Sequence, residues 1–182
     1  MNQLKEGNVK EDTLVLGIGN PLCGDDGAGI RVVEMLKQRE LPLGVQVMEA
    51  GLPGWGLPTW LDGWQSVILV DAVEMGASPG TWRLFQLRST QQYGEEEPEP
   101  VLIKQQSESI SLHQPDLANG LALADALDLL PQTLYLYGIQ PDNTEIGSPL
   151  SPAVYKSIPL LIEKILEDLG KGIYEPETNF NC

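Results

Sequence analysis

A turn with two adjacent aspartates, placed between an apolar run and an amphipathic run, constrains this chain more than any other feature. The apolar run, residues 13–18, has the composition of a buried β-strand, and residues 30–39 have the spacing of an amphipathic helix. The turn between them contains Asp25 and Asp26. Because ligands bind at the carboxyl ends of strands in open α/β sheets, we expect the chemistry of the protein to gather at this turn.

The same turn has some features of a dinucleotide-binding loop, because Gly17 and Gly19 follow a strand and precede a helix. This interpretation is our second choice, since Leu22 occupies the position of the third glycine. The two aspartates would also repel a pyrophosphate at the helix N-terminus, which normally attracts anions. Their carboxylates can instead cap the helix or bind a cation. We expect one of the pair to cap the helix and the other to be available for chemistry.

Length and charge exclude several classes of protein. The chain has 182 residues, of which 42% are hydrophobic, and this fits a single domain with a substantial core. Its 26 acidic and 11 basic residues give a net charge of −15, so we expect no nucleic-acid partner. No apolar run is long enough to span a membrane, and residues 1–12 lack a signal-peptide core, so we expect a cytoplasmic monomer with no membrane partner. The spacing of Cys23 and Cys182 argues against a disulfide framework or a cysteine zinc site.

The rest of the chain alternates strand patterns with helix patterns. Apolar runs predict strands at 66–72 and 133–139. Alternation of apolar and polar residues predicts a strand at 45–49 and an edge strand at 81–88 that can be antiparallel. Helical signals predict helices at 59–62, 115–130 and 151–169. The inward faces of the last two helices are predicted to carry Leu117, Leu121, Ala124 and Leu127, and Val154, Ile158, Leu161 or Ile162, and Ile165.

This alternation predicts an α/β fold of three layers, a twisted and mostly parallel sheet of about five strands with helices on both faces. Right-handed crossovers place the strand at 13–18 between the strands at 45–49 and 66–72. We treat residues 1–182 as one domain with its core at about 13–170. Three segments flank or interrupt this core: a loose leader at 1–12, a flexible acidic loop at about 91–106 and a C-terminal tail at 171–182.

Two aspartates and one histidine are the candidate site residues of the predicted fold. Asp26 follows the first strand, and Asp71 ends the strand at 66–72, so both should lie in one crevice at the carboxyl edge of the sheet. His113 is the only histidine and precedes a predicted helix in a polar context. One histidine and two carboxylates suit a divalent metal with open positions for substrate, and we expect their ligand atoms within roughly 5 Å of one another.

Seven short motifs follow one another in order across residues 13–169. They are Gly17-x-Gly19-Asn20, Asp25-Asp26-x-x-Gly29, Val70-Asp71-Ala72, Pro79-Gly80-Thr81, His113-Gln114, Gly138-Ile139-Gln140-Pro141 and Leu150-Ser151-Pro152-x-Val154. Each is weak alone, but their order and spacing are specific. In these motifs the chain resembles the hydrogenase maturation proteases, the endopeptidases that remove the C-terminal tail of the large subunit of nickel–iron hydrogenases.

The resemblance implies a fold, a substrate and a site. It implies a twisted sheet with helices on both sides, and a substrate that is the hydrogenase large-subunit precursor, cleaved in its C-terminal region after a basic residue. It implies that Asp26, Asp71 and His113 are metal ligands, and we take the same three as the catalytic residues. The metal is nickel, sensed in the loaded precursor rather than permanently bound. Residues 49–54 depart from the family pattern, which bears on peptide specificity more than on chemistry. The acidic loop around Glu95 and the tail ending in Cys182 are additional to that pattern.

The sequence leaves the mechanism and two other functional classes open. In one mechanism the nickel of the precursor polarises the scissile amide as a Lewis acid. In the other, Asp26 or Asp71 is the general base on water and nickel serves only for recognition. The other classes are a nucleotide-binding oxidoreductase, with Glu49 as its ribose-binding acid, and a non-catalytic nickel-binding maturation scaffold. Cys23 lies beside the aspartates and is either a thiolate donor or an incidental buried cysteine.

Overall fold

A single five-stranded sheet organises the described part of the chain. The computed structural model describes residues 13–89 and 115–171. The strands are β1 (Thr13–Ile18), β2 (Val45–Gly51), β3 (Ser66–Ala72), β4 (Trp82–Leu87) and β5 (Thr133–Ile139). Their order is β2-β1-β3-β5-β4, with β4 antiparallel to β5 and the other neighbours parallel. This confirms the predicted sheet, including β1 between its two parallel neighbours and the antiparallel edge strand.

Within the described ranges, four α-helices cover the two faces of this sheet. They are α1 (Ala28–Leu36), α2 (Leu57–Leu61), α3 (Pro115–Ala126) and α4 (Pro152–Lys171). Side chains from α2 and α3 pack in one core cluster, and side chains from α1 and α4 pack in a second cluster. The predicted three-layer architecture is therefore confirmed. The leader at 1–12, the acidic loop at 91–106, His113 and residues 172–182 lie outside the described residues.

The central strands divide their side chains between these two clusters. In β1, Leu14 and Leu16 join the cluster of α2 and α3, and Val15 joins the cluster of α1 and α4. Every residue of β1 and β3 is buried, because helices cover both sides of them. This explains why both strands read as continuous apolar runs in the sequence.

The predicted inward positions of α4 are confirmed: Val154, Ile158, Leu161, Ile162 and Ile165 are all buried. In α3 the first three predicted positions are also buried: Leu117, Leu121 and Ala124. The prediction for Leu127 is wrong, since its side chain is 54% exposed. Leu127 directly follows the last residue of α3, Ala126, and so lies at the exposed C-terminal end of the helix. Within the described ranges, no helix is both long and apolar enough to cross a membrane.

Candidate functional site

Asp71 lies at the end of β3, in the middle of the sheet, and its side chain is fully buried. One carboxylate oxygen, Oδ1, accepts the backbone N–H of Ala72 at 2.8 Å. The other oxygen, Oδ2, has no hydrogen-bond partner among the described residues. Since buried polar atoms in folded proteins are nearly always hydrogen-bonded, we expect the partner of this oxygen to lie outside the described residues or in a bound ligand.

Asp26 lies in a 3₁₀ turn, Gly24–Gly27, that connects β1 to α1. Its Oδ2 accepts the backbone N–H of Asn20 at 2.8 Å. Burial, and then the nearby charge of Asp26, raise the pKa of Asp71 well above its usual value, and the N–H of Ala72 only partly offsets this. The structure therefore brings Asp26 and Asp71 together at the carboxyl edge of the sheet.

His113 lies outside the described residues, so the convergence of all three side chains stays a prediction. Within 13–89 and 115–171, no group of three or more histidine, cysteine, aspartate or glutamate side chains is arranged to hold a metal ion. The described part of the candidate site is thus a pair of carboxylates, one buried and one half-buried.

Gly19 lies between these two aspartates. A Cβ atom at this position would be 1.8 Å from the backbone carbonyl oxygen of Asp26 and 3.7 Å from Oδ1 of Asp71. Its φ of 122° also lies in a region that side chains other than glycine rarely adopt. In the sequence, Gly19 is recognisable only as part of a glycine motif. Its role is to let the backbone of the Asp26 turn approach the end of β3.

Asp25 is not accessible to a ligand, because its side chain is fully buried. Its Oδ2 accepts the backbone N–H groups of Asp142 and Asn143, at 2.9 Å and 3.1 Å, and its Oδ1 accepts that of Ser151 at 2.6 Å. All three donors belong to residues 140–151, which connect β5 to α4. This arrangement corrects the prediction that one of the two aspartates caps a helix.

Neither aspartate is the cap, because the 3₁₀ turn precedes α1 and Gly27 occupies the N-cap position without a side-chain bond. The two carboxylates accept other backbone N–H groups instead, that of Asn20 for Asp26 and those of residues 140–151 for Asp25. Burial alone would raise the pKa of Asp25, but the three backbone N–H groups and the hydroxyl of Ser151 outweigh it, so the pKa lies below its usual value. The adjacent aspartates Asp25 and Asp26 therefore have different surroundings.

Gln140, at the end of β5, fixes the segment that follows Asp71. Its side-chain Oε1 accepts the backbone N–H groups of Met75 and Ala77, at 2.7 Å and 3.2 Å. Its Nε2 donates to Glu74 at 2.8 Å, and the whole side chain is buried. In the sequence, Gln140 is recognisable only as one position of a motif. Its bonding role could not be predicted, because the bonds from Met75 and Ala77 join residues more than 60 positions apart.

Two further predicted positions have ordinary surroundings. Cys23 is a free, half-buried cysteine, so it is neither deeply buried nor part of a disulfide. Glu49 is exposed on β2 and forms an ion pair with Lys37, with 2.6 Å between Nζ and Oε1. An acid already paired with a lysine is a poor ribose ligand.

Comparison with known proteins decides the family. A family model described as hydrogenase maturation protease matches residues 30–168. This chain belongs to the hydrogenase maturation protease family. It is 34% identical to the hydrogenase expression/formation protein HupD of Rhodobacter capsulatus, over 87% of this chain and 71% of that protein. It is 32% identical to the hydrogenase 2 maturation protease of Escherichia coli, over 87% of this chain and 91% of that protein.

The fold of this hydrogenase maturation protease agrees with the family. The hydrogenase maturating endopeptidase HybD of E. coli superimposes on it with a TM-score of 0.63 and 27% identity, over 87% of this chain and 92% of that chain. The chain is therefore a peptidase, a class of hydrolase. The alternative interpretation as a nucleotide-binding oxidoreductase is not supported, and the placement of Asp25 and Asp26 just before α1 explains physically why a pyrophosphate would not bind there.

Proposed function

We propose that this hydrogenase maturation protease removes the C-terminal tail from the nickel-loaded large-subunit precursor of a nickel–iron hydrogenase, using Asp26, Asp71 and His113. One observation carries the proposal: Asp71 is fully buried beside the charge of Asp26, and no residue in the described ranges donates a hydrogen bond to its Oδ2. The maturation protease and the maturating endopeptidase among its relatives support the substrate class. The cytoplasmic location and the monomeric state stay predictions.

The donor set suits a nickel ion held by the substrate. Two carboxylates and one imidazole are ligands that nickel accepts, and open positions remain for the cysteines or the amide of the precursor. A cation near Asp71 would give Oδ2 the partner that it lacks and would offset the repulsion from Asp26. Nickel is part of the substrate in this proposal, and Asp26, Asp71 and His113 recognise it.

The two carboxylates differ in how well they suit proton transfer. The raised pKa of Asp71 and its unpaired Oδ2 suit a general base on water, because a base works best when its pKa lies near the operating pH. Asp26 already accepts the N–H of Asn20, which suits a ligand held in one orientation. In the alternative mechanism, the nickel polarises the scissile amide and both carboxylates only hold it.

The test is incubation of the purified protein with nickel-loaded precursor and with the same precursor lacking nickel. We expect the loaded precursor to become shorter on a gel, with release of its C-terminal peptide identified by mass. The nickel-free precursor should stay intact, because the carboxylates then have no cation to engage. Full-length loaded precursor after prolonged incubation with folded protein would overturn the proposal.

The same experiment separates the two other functional classes. A maturation scaffold would bind the loaded precursor without shortening it, and an oxidoreductase would bind a nicotinamide cofactor and ignore the precursor. Asp71→Asn is the control within the site, since it keeps the shape of the side chain and removes its negative charge. We expect this variant to bind the precursor less tightly and to release no peptide.

A further inference from the structure

The carboxylate of Asp25 is held by the backbone of a neighbouring loop. Its two oxygens accept three backbone N–H groups, from Asp142, Asn143 and Ser151. Contacts within the fold therefore use three of the about four acceptor positions of this carboxylate. With its side chain fully buried as well, Asp25 has no access to substrate.

Backbone contacts join the same two loops around this carboxylate. The N–H of Asp25 donates to the carbonyl oxygen of Asn143 at 2.8 Å, and the N–H of Gly24 donates to that of Ser148 at 3.2 Å. In the opposite direction, the N–H of Gly147 donates to the carbonyl oxygen of Leu22 at 2.7 Å. The loop between β1 and α1 is thereby fastened to residues 140–151 on both sides of the Asp25 carboxylate.

We propose that Asp25 is a positioning residue, whose carboxylate locks the β1–α1 loop against residues 140–151 and so holds Asp26 beside Asp71. This inference rests on the proposed function for the role of Asp26. Asp26 is the next residue in the chain, and its side chain accepts the N–H of Asn20. The turn that carries Asp26 is thus joined to residues 140–151 through the Asp25 carboxylate and the backbone contacts beside it.

The first variant is Asp25→Asn. The amide group has nearly the same shape, but it presents an N–H donor to backbone N–H groups that need an acceptor. We expect the two loops to separate slightly at this point and Asp26 to shift. Because a displacement of about 1 Å can cost about 100-fold in rate, kcat for precursor cleavage should fall by about that factor, with KM changed by less than about threefold.

The second measurement does not depend on activity. The N–H of Asn20 donates to Asp26 and makes no contact with Asp25, so its hydrogen exchange reports the position of Asp26. We expect Asp25→Asn to speed exchange at Asn20 by at least about tenfold, in addition to faster exchange at Asn143 and Ser151. A residue with a merely local structural role would change exchange only at its own partners.

Asp168→Asn is the matched control. Asp168 is another buried carboxylate, 2% exposed, and it accepts hydrogen bonds from Tyr137 and Lys164 near the end of α4, away from the candidate site. We expect this variant to lose stability yet to keep wild-type kcat and wild-type exchange at Asn20. Equal losses of kcat in Asp25→Asn and Asp168→Asn would show that Asp25 acts only through global stability, and would overturn the inference.

Gly24→Ala disturbs the same junction without changing Asp25. A Cβ atom there would be 2.4 Å from the carbonyl oxygen of Asn143, so the loops must move apart. We expect the same loss of kcat and the same faster exchange at Asn20, and this variant decides the question if Asp25→Asn does not fold. Unchanged exchange at Asn20 in the folded variant overturns the inference. If wild-type protein cleaves no precursor, the proposed function fails, and the exchange data still decide whether Asp25 positions Asp26.

Discussion

Asp71 is fully buried at the end of β3 with the charge of Asp26 close by, and burial and that charge together raise its pKa well above the usual value. Neither effect favours stability: within residues 13–89 and 115–171 no donor reaches Oδ2 of Asp71, and a buried carboxylate with an oxygen left unpaired disfavours folding in its charged form. Strongly perturbed carboxyl groups of this kind are concentrated at functional sites, where stability is given up for reactivity.

Asp71→Asn should therefore make the protein more stable while it abolishes cleavage. The folded pKa of Asp71 lies above the unfolded value of about 3.9, so its contribution to stability is full below that value and is lost as pH rises toward the folded pKa. The variant does not titrate at this position. Its advantage in free energy of unfolding over the wild type should grow by about 1.4 kcal/mol per pH unit within this window. Urea denaturation of both proteins at a series of pH values upward from the unfolded pKa of about 3.9 measures it.

For Asp25→Asn we expect the opposite effect on stability, a lower free energy of unfolding than that of the wild type. The folded pKa of Asp25 lies below its unfolded value, so its stabilising contribution is present above the unfolded value and is lost as pH falls through the folded pKa. That variant should be less stable than the wild type at neutral pH, with a deficit that becomes smaller in acid.

An advantage of Asp71→Asn that decreases with rising pH would mean that the charged form of Asp71 is stabilised in the fold, contrary to our interpretation.

His113→Ala should abolish precursor cleavage without unfolding the protein. The sequence places His113 among polar neighbours before α3, so its loss should not open a core cavity, and surface substitutions usually cost little stability. It would nevertheless remove the only imidazole from the proposed set, and nickel then has two carboxylates alone. A gel shift of the loaded precursor measures cleavage, and circular dichroism measures folding.

Two other variants serve as comparisons for His113→Ala. Asp71→Ala should lose cleavage in the same way, and Asp26→Glu should retain part of it, because it keeps a carboxylate at the same position. If folded His113→Ala cleaves at the wild-type rate, the assignment of His113 as a ligand is wrong. The two aspartates would then have to carry the chemistry.

The strands were predicted well because their surroundings are simple. The bounds of β1, β3 and β5 agree with the apolar runs at 13–18, 66–72 and 133–139, since helices on both faces require apolar side chains at nearly every position. The order of β1 and β3 followed from crossover handedness, and it placed Asp26 and Asp71 at the same edge.

The contacts that hold the site together could not be predicted in the same way. The hydrogen bonds that the Asp25 carboxylate accepts connect residues separated by 117, 118 and 126 positions, and no local pattern in the sequence indicates such a pairing. Two adjacent aspartates before a helix suggest a cap, and only the tertiary structure shows that Asp25 faces residues 140–151. Gln140 was missed for the same reason.

Asp128→Gly should stabilise the protein. The chain leaves α3 through Asp128 at φ 56°, a left-handed conformation that costs a residue other than glycine roughly 1–2 kcal/mol. The N–H of Leu129 donates to the carbonyl oxygen of Ala124, and the N–H of Asp128 donates to the carbonyl oxygen of Asp125. These two bonds form a Schellman motif, in which glycine is the preferred residue at the left-handed position. Replacement should raise the free energy of unfolding by about 0.5–1 kcal/mol, measured by urea denaturation.

The control for Asp128→Gly is Asp128→Ala, which keeps the strained conformation and should bring no gain. Both variants should keep wild-type cleavage, because this turn precedes β5 at the amino edge of the sheet. If glycine and alanine have equal effects, the strain at Asp128 is negligible.

Gly19→Ala should disrupt the site more than any other single methyl group. Its Cβ would be 1.8 Å from the carbonyl oxygen of Asp26, so the turn must move, and the φ of 122° adds conformational strain. We expect a loss of about 3 kcal/mol or more in the free energy of unfolding and loss of cleavage.

Gly76→Ala is the matched control, with a φ of 63° and nothing within 4 Å of its Cβ. It should cost roughly 1–2 kcal/mol and leave cleavage intact, since only backbone strain is added. Equal effects of the two substitutions on cleavage would mean that the close approach of Gly19 to Asp26 has no part in forming the site.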